Sequence, residues 1–383
     1  MAQGPVATPQ HNVNQGIPRG AHRPLPHPQV DSPMPLHPLY GHEGPRNRLA
    51  GAIASGRLPQ ALLFEGPRGV GKQRLALWLG QLLLCERQVE REPCGECRSC
   101  HLALALQHPD LHWFVPVEVI KKGADADKQV DLVEEALALE MAARRHQPLY
   151  EAAPGLASHG IASVRLLLRR LALTPAMGPR KVFIIGDAER LIPQQGAEAA
   201  ANALLKALEE PPADTVFLLT ASEPEALLPT ILSRVMRVRL ARVPDSVVAS
   251  FAQHELKSAG SASKQREMAA TAEGCIGKLL ATAGAQSGDA AESYLTAVRA
   301  DPTSRYAYAL RQPAYQARGA FTAMLDELLE LLRAEAHEGA TSQVVAALAR
   351  VLEAREMAQG NVNPQLLTAV LSEGLGGGGG GAV

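Results

Sequence analysis

Aromatic residues are scarce, at 4% of 383 positions. Proteins that hold single-stranded nucleic acid without sequence preference stack bases on aromatic rings, so a stand-alone DNA-binding module is disfavoured. An excess of one charge is also missing: 38 Lys and Arg stand against 39 Asp and Glu, for a formal net charge of −1. No global field therefore draws the chain onto nucleic acid or a membrane surface, and any DNA contact must be local or shared with partner subunits. No apolar run reaches the roughly 18 residues that a membrane-spanning helix needs. The N-terminus lacks the charged-then-apolar layout of a secretion signal, and the expectation is a cytoplasmic chain without membrane contact.

What is present centres on Ala61-Leu-Leu-Phe-Glu-Gly-Pro-Arg-Gly-Val-Gly-Lys-Gln73. An apolar strand runs into a glycine-rich loop, and Leu75, Leu79, Leu82 and Leu83 then recur at helical spacing. Gly66, Gly71 and Lys72 fit the pattern G-x-x-x-x-G-K, with Arg68 and Gly69 inside the loop. In that pattern loop amides cradle phosphate oxygens at a helix N-terminus. The position after the lysine departs from it. Active nucleoside triphosphatases carry Ser or Thr there to hold magnesium, whereas this chain has Gln73.

A second departure follows downstream. Lys181-Val-Phe-Ile-Ile-Gly-Asp187 reads as a buried strand, which in active enzymes ends in a magnesium-orienting Asp. Gly186 and Asp187 both compete for that position. If Gly186 fills it, both metal determinants are gone; a one-residue offset would let Asp187 serve. Agreement between two independent positions favours loss.

Four of the five cysteines, Cys85, Cys94, Cys97 and Cys100, fall in the spacing C-x8-C-x2-C-x2-C. Thiolates so spaced can turn onto one ion, and four of them suit a closed, structural zinc site. Two disulfides or free thiols are the alternatives, the former not persisting in a reducing cytosol. His101 is a further candidate to replace one thiolate. Cys275, alone in an Ala- and Gly-rich stretch, reads as a small buried apolar residue.

The organisation expected is α/β with helical domains following. Residues 1–37, rich in Pro, Gly, His and Gln, suggest a disordered leader. Residues 38–243 suggest a P-loop parallel-sheet domain, with the zinc module at 85–100 and a charged, surface-lying insertion at 121–150. Helices are expected at 46–55, 160–171 and 227–234, and a third core strand at 215–220. Residues 244–287 suggest a small helical lid and 288–373 an all-α collar. Within the latter, Phe321, Leu325, Leu328, Leu329 and Leu332 form one apolar stripe. Val344, Val345, Leu348, Val351 and Leu352 form another. Residues 374–383 read as a glycine-rich tail.

Taken in order, Gly66-Pro-Arg-Gly-Val-Gly-Lys72, the cysteines, His108-Pro-Asp110, Asn202-Ala-Leu-Leu-Lys206, Leu208-Glu-Glu-Pro-Pro212, Ile231-Leu-Ser-Arg234 and Asn361-Val-Asn-Pro364 carry a likeness. The sequence resembles the AAA+ clamp-loader subunits of bacterial DNA polymerase III over about residues 38–373. Two kinds of subunit share the layout, the ATP-hydrolysing gamma/tau motor and the delta-prime type. Gln73 and Gly186-Asp187 depart from the motor pattern and fit the delta-prime type, whose family role is a stator that does not fire ATP. The resemblance implies that Arg234 reaches in trans, as an arginine finger, toward nucleotide on a neighbouring motor. It places Ser222 at the first sensor, and Lys278 near the second, one position away from the usual Arg. It also implies a hetero-oligomeric ring with gamma/tau and delta subunits, acting on a sliding clamp and primer–template DNA. ATP binding by the chain itself is then weak or absent, with the retained Lys72 leaving residual binding open. A gamma/tau-type motor is the alternative.

Overall fold

The computed structural model describes residue 1 and residues 38–118, 125–146, 157–192, 198–256, 268–279, 288–312, 320–339, 341–358 and 362–376. The expected leader after residue 1, the tail from 377, both ends of the expected insertion and Asn361 lie outside the described residues.

Helix α1 (Glu43–Ala54) precedes strand β1 (Ala61–Glu65), and α2 (Lys72–Leu84) follows it. A small hairpin of β2 (Gln88–Val89) and β3 (Glu92–Pro93) leads into α3 (Arg98–Leu104). Next come β4 (Leu111–Phe114), α4 (Ala126–His146), α5 (Ile161–Leu171), β5 (Lys181–Ile185) and α6 (Ala199–Glu209). Strand β6 (Thr215–Ala221), the short α7 (Pro229–Leu232) and β7 (Met236–Arg239) complete the sheet. The sheet is five-stranded in the order β4-β5-β6-β1-β7, and every pairing is parallel. Parallel strands need crossover helices, which cover the faces, so their residues are buried on both sides. Every residue of β1, β5 and β6 is accordingly buried.

Register puts the chemistry at one end. Ile185 pairs with Leu219, and Glu65 pairs with Ala221 and Arg239, so β1, β5 and β6 end side by side. The turns after them, carrying Gly66, Gly186 and Ser222, meet at the carboxyl edge of the sheet, where open α/β folds bind ligands. Helix α2 lies on the sheet through Leu75, Leu79 and Leu82, all fully buried. Gly80 lets the helix sit close, since a Cβ there would stand 2.8 Å from Leu111 Cδ1.

The expectation of a surface-lying insertion is corrected for α4. Val130, Val133 and Leu137 are buried in the main core, and Arg144 is also buried. Their spacing makes a one-residue-wide stripe among charges, which reads as polar when averaged over a window. The helix expected at 227–234 is shorter than predicted, with Pro229 starting it and Ser233 ending it.

Two further hydrophobic clusters follow the sheet. One joins α8 (Asp245–Glu255) to residues 268–279 through Val248, Phe251, Ala252, Ala269, Ala272 and Leu279. Tyr40 reaches back to it, edge-on to Phe251 at 5.2 Å, with its hydroxyl donating to Glu255 Oε1 at 2.8 Å. The other is built by α9 (Gly288–Ala300), α10 (Pro302–Arg311), α11 (Ala320–Gly339), α12 (Ser342–Ala358) and α13 (Pro364–Gly376). The whole Phe321 stripe is buried there. The second stripe is only half right: Val351 is fully buried, whereas Val345 and Leu352 are 56% and 48% exposed. Val345 and Leu352 lie seven residues apart on the flank of α12, on a line that the bundle leaves uncovered. Asn363 caps α13, its Oδ1 accepting from Gln365 N at 2.8 Å, with Pro364 in the first turn.

Candidate functional site

The glycine loop bends where only glycine bends cheaply. Gly66 has φ 154°, and a Cβ there would stand 2.5 Å from Leu240 O; Gly69 has φ 76° and lies against Gly277. Lys72 opens α2 and is 5% exposed. Its Nζ donates to Gly66 O (2.9 Å), Pro67 O (2.8 Å) and Ser222 Oγ (2.8 Å). Ser222 N donates in turn to Glu189 Oε1 at 3.0 Å. A chain of polar contacts thus ties the loop after β1 to the turns after β6 and β5. Burial lowers the Lys72 pKa, an effect that Glu189 and Asp187 oppose. Burial, then the neighbouring Asp187 charge, raises that of Glu189. His42 buttresses the loop from outside, its Nε2 donating to Val70 O at 2.8 Å.

The metal side of this cradle has a different chemistry. The Gln73 atoms Cδ, Oε1 and Nε2 each lie 3.0 Å from where a Gly186 Cβ would be. Gly186, rather than Asp187, therefore faces the residue after the lysine. Asp187 is the next residue, with φ 50° and its amide donating to Thr220 Oγ1 at 3.0 Å. Arg144, whose side chain is 3% exposed, donates from Nη1 to Gln73 Oε1 at 3.3 Å. Its guanidinium lies 4.5 Å over the Trp113 ring. Beneath Gly186, the wholly buried His159 donates from Nε2 to Gly186 O at 2.7 Å, and burial pulls its pKa down to about 4. Magnesium needs hard oxygen ligands in near-octahedral array. An amide already engaged by an arginine, opposite a bare Cα, does not fit it.

Of the other predicted residues, Lys278 turns to Glu273 and Glu330, both at 3.1 Å, and Arg68 to Asp326 at 3.2 Å. Neither side chain joins Lys72. The turn before Lys278 does close on the loop, Gly277 N donating to Gly69 O at 2.9 Å. Arg234 lies elsewhere. It precedes β7, whose first residue, Met236, pairs with Leu62 near the start of β1. The cradle opens from the other end of β1, so Arg234 lies at the amino edge of the sheet. Its Nη1 donates to Thr230 O (2.8 Å) and Ser233 Oγ (3.1 Å), and its Nη2 pairs with Glu209 Oε1 at 2.5 Å.

The four cysteines converge. Their Sγ atoms all lie within 4.8 Å of one another, with Cys85–Cys97 at 4.0 Å and Cys94–Cys100 at 3.9 Å. A tetrahedron with metal–sulfur bonds of about 2.3 Å has edges near 3.8 Å, whereas a disulfide brings sulfurs to about 2.05 Å. The cysteines are free thiols arranged for one ion. Backbone amides point at the sulfurs: Cys94 N to Cys85 Sγ and Cys97 N to Cys94 Sγ at 3.3 Å, and Cys100 N to Cys97 Sγ at 3.4 Å. The amides of Glu96 and Cys97 pull the Cys94 thiol down to about 6. Exposed His101 is not among the converging ligands. Cys275 is buried, as expected.

Residues 41–244 match the family model described as DNA polymerase III, delta subunit. The chain belongs to that family. Among curated relatives of this delta-subunit family member, the DNA polymerase III subunit delta' of Escherichia coli is 31% identical over 209 residues, 55% of this chain and 50% of the relative. The Pseudomonas aeruginosa delta' is 35% identical over 177 residues, 46% of this chain and 42% of the relative. The DNA polymerase III subunit tau of Salmonella typhimurium is 32% identical over 208 residues, 54% of this chain and 26% of the relative. The chain spans about half the length of the curated delta' relatives it matches. It is a DNA polymerase III clamp-loader family member with an all-parallel five-stranded α/β sheet. Among the described residues no helix is long and apolar enough to cross a membrane.

Sequence reasoning missed His42, Arg144 and His159 as parts of the cradle, and gave Glu189 no role there. None of the four belongs to the loop pattern, and each contacts a residue distant in the chain. Arg144 was hidden inside a charged stretch. Only its place seven residues, two turns, after Leu137 on the stripe of Val130, Val133 and Leu137 hinted that the helix end was also covered.

Proposed function

We propose that this chain is a delta-prime-type stator of the bacterial clamp loader, joining gamma/tau and delta subunits in a hetero-oligomeric ring. The observation that carries the reading is Gln73 packed on Gly186 with Arg144 beside it, a cradle whose donor set does not fit magnesium. The ring would place a sliding clamp on primer–template DNA in the cytoplasm. The chain would contribute its α/β domain (38–243) as a fixed wall, its lid (244–287) and its collar (288–373).

Arg234 would serve the neighbour. From the amino edge of the sheet it cannot reach the cradle of its own chain, and a guanidinium suits phosphate charge developing in another subunit. Glu209 holds it ready at the surface. The cysteine cluster would carry structural zinc, since four thiolates leave no open position for substrate water. Retention of Lys72 and the tau relative favour the alternative of an ATP-hydrolysing motor. Reconstitution tests the role: omitting this chain from gamma/tau-type and delta-type subunits should abolish clamp-dependent primer extension, and unaffected extension would remove it from the loader.

A further inference from the structure

We propose that helix α4 is a stopper for the metal half of the cradle, with Arg144 standing as the resident cation where a divalent ion would otherwise bind. The inference deepens the reading of the cradle as magnesium-free and rests on it, but it does not depend on Arg234.

Three observations from different parts of the chain carry it. Gly186 has no side chain, and the space a Cβ would take is filled by the amide of Gln73. The Gln73 oxygen, which would otherwise face a metal, accepts from Arg144 instead. The arginine arrives on a helix that is sealed into the core by Val130, Val133 and Leu137. A guanidinium cannot shed its proton, so its positive charge is permanent. Buried charge is tolerated only when paired and hydrogen-bonded. Arg144 is paired on three sides: the Trp113 ring at 4.5 Å, Glu140 one turn back at 3.7 Å, and Gln73. A divalent ion entering between residues 73 and 186 would meet this charge at close range and be repelled.

The two substitutions and the arginine therefore act together. Restoring the oxygen ligands alone would not restore the metal, because α4 still blocks it. What the cradle retains, the loop amides and Lys72, would hold an anion with an affinity indifferent to divalent ions.

The test uses the full chain in the Gln73→Thr/Gly186→Asp background, where loss of the Gln73 bulk makes room for the carboxylate. Mn²⁺ binding is read by electron paramagnetic resonance, and affinity for a fluorescent ATP analogue is titrated with and without Mg²⁺. With Arg144 present, Mn²⁺ should stay free and Mg²⁺ should change the affinity less than about twofold; adding Arg144→Met should immobilise Mn²⁺ and tighten the Mg²⁺-dependent affinity at least about tenfold. Met keeps the packing on Trp113, and circular dichroism checks the fold. Should the Met variant unfold, Arg144→Gln, uncharged and polar, takes its place. Mn²⁺ bound while Arg144 is present overturns the stopper, and so does a folded uncharged variant that still excludes Mn²⁺. Either result leaves the stator reading standing; that reading would fall to turnover by the unaltered chain.

Discussion

Arg234→Ala should leave this chain folded and slow ATP turnover of a reconstituted loader at least about tenfold, against the 10³–10⁵ that a single arginine finger contributes in the best-known cases. The fall is smaller than for a single site because the other motor copies keep their own fingers, and it reaches tenfold because the sites of the ring fire in a coupled cycle that the slowed site holds back. The folded state loses little. Arg234 and Glu209 are 32% and 44% exposed, and a surface pair of that kind is worth about 0–1 kcal/mol. Arg234→Lys sharpens the result, because lysine keeps the charge but lacks the planar fork. It should recover only part of the rate. Thermal melts of the isolated variants and steady-state turnover of the assembled loader make the comparison. Unchanged turnover with Arg234→Ala would remove the finger from the account.

Metal removal should have the larger effect on structure. Purified chain should contain about one zinc, and structural zinc supplies roughly 10–16 kcal/mol of apparent binding energy in small modules near pH 7. Such a contribution exceeds what the segment from 85 to 104 can gain from its few buried apolar side chains. A strong chelator, or Cys97→Ser, should therefore unfold this segment while the sheet persists. Trp78 on α2 reports the event, since its Nε1 donates to Glu92 Oε2 of the hairpin at 2.7 Å and Arg46 lies over its ring. Its fluorescence should shift on chelation and return with added Zn²⁺. A chain free of metal, with an intact segment, would contradict the assignment.

How much of this was legible in the sequence follows from how local each signal was. The loop from Gly66 to Lys72, the strands at 62–64, 181–185 and 215–220, and the cysteine spacing are contiguous patterns, and each describes its own geometry. The residue facing Gln73 was not settled by pattern, because a one-residue offset at Gly186 and Asp187 can be decided only by the strand's register. The line of Val345 and Leu352 failed for a related reason. Apolar residues at helical spacing predict an apolar face but not which part of it a neighbouring helix covers. Arg144 and His159 lay furthest from reach. Each contacts the cradle from a connection between sheet strands, and a charged or lone residue in such a connection reads as solvated.

The central claim is that a cradle with its cation and without its metal ligands has become a fixed part of a machine whose engine is elsewhere. ATP hydrolysis by the purified chain in magnesium, measured alone and then after mixing with a gamma/tau-type subunit, tests it most directly. The isolated chain should show background turnover, and magnesium-dependent turnover should arise only in the mixture. Sustained turnover by the isolated chain, abolished by Lys72→Ala, would contradict it and assign the chain to the motors.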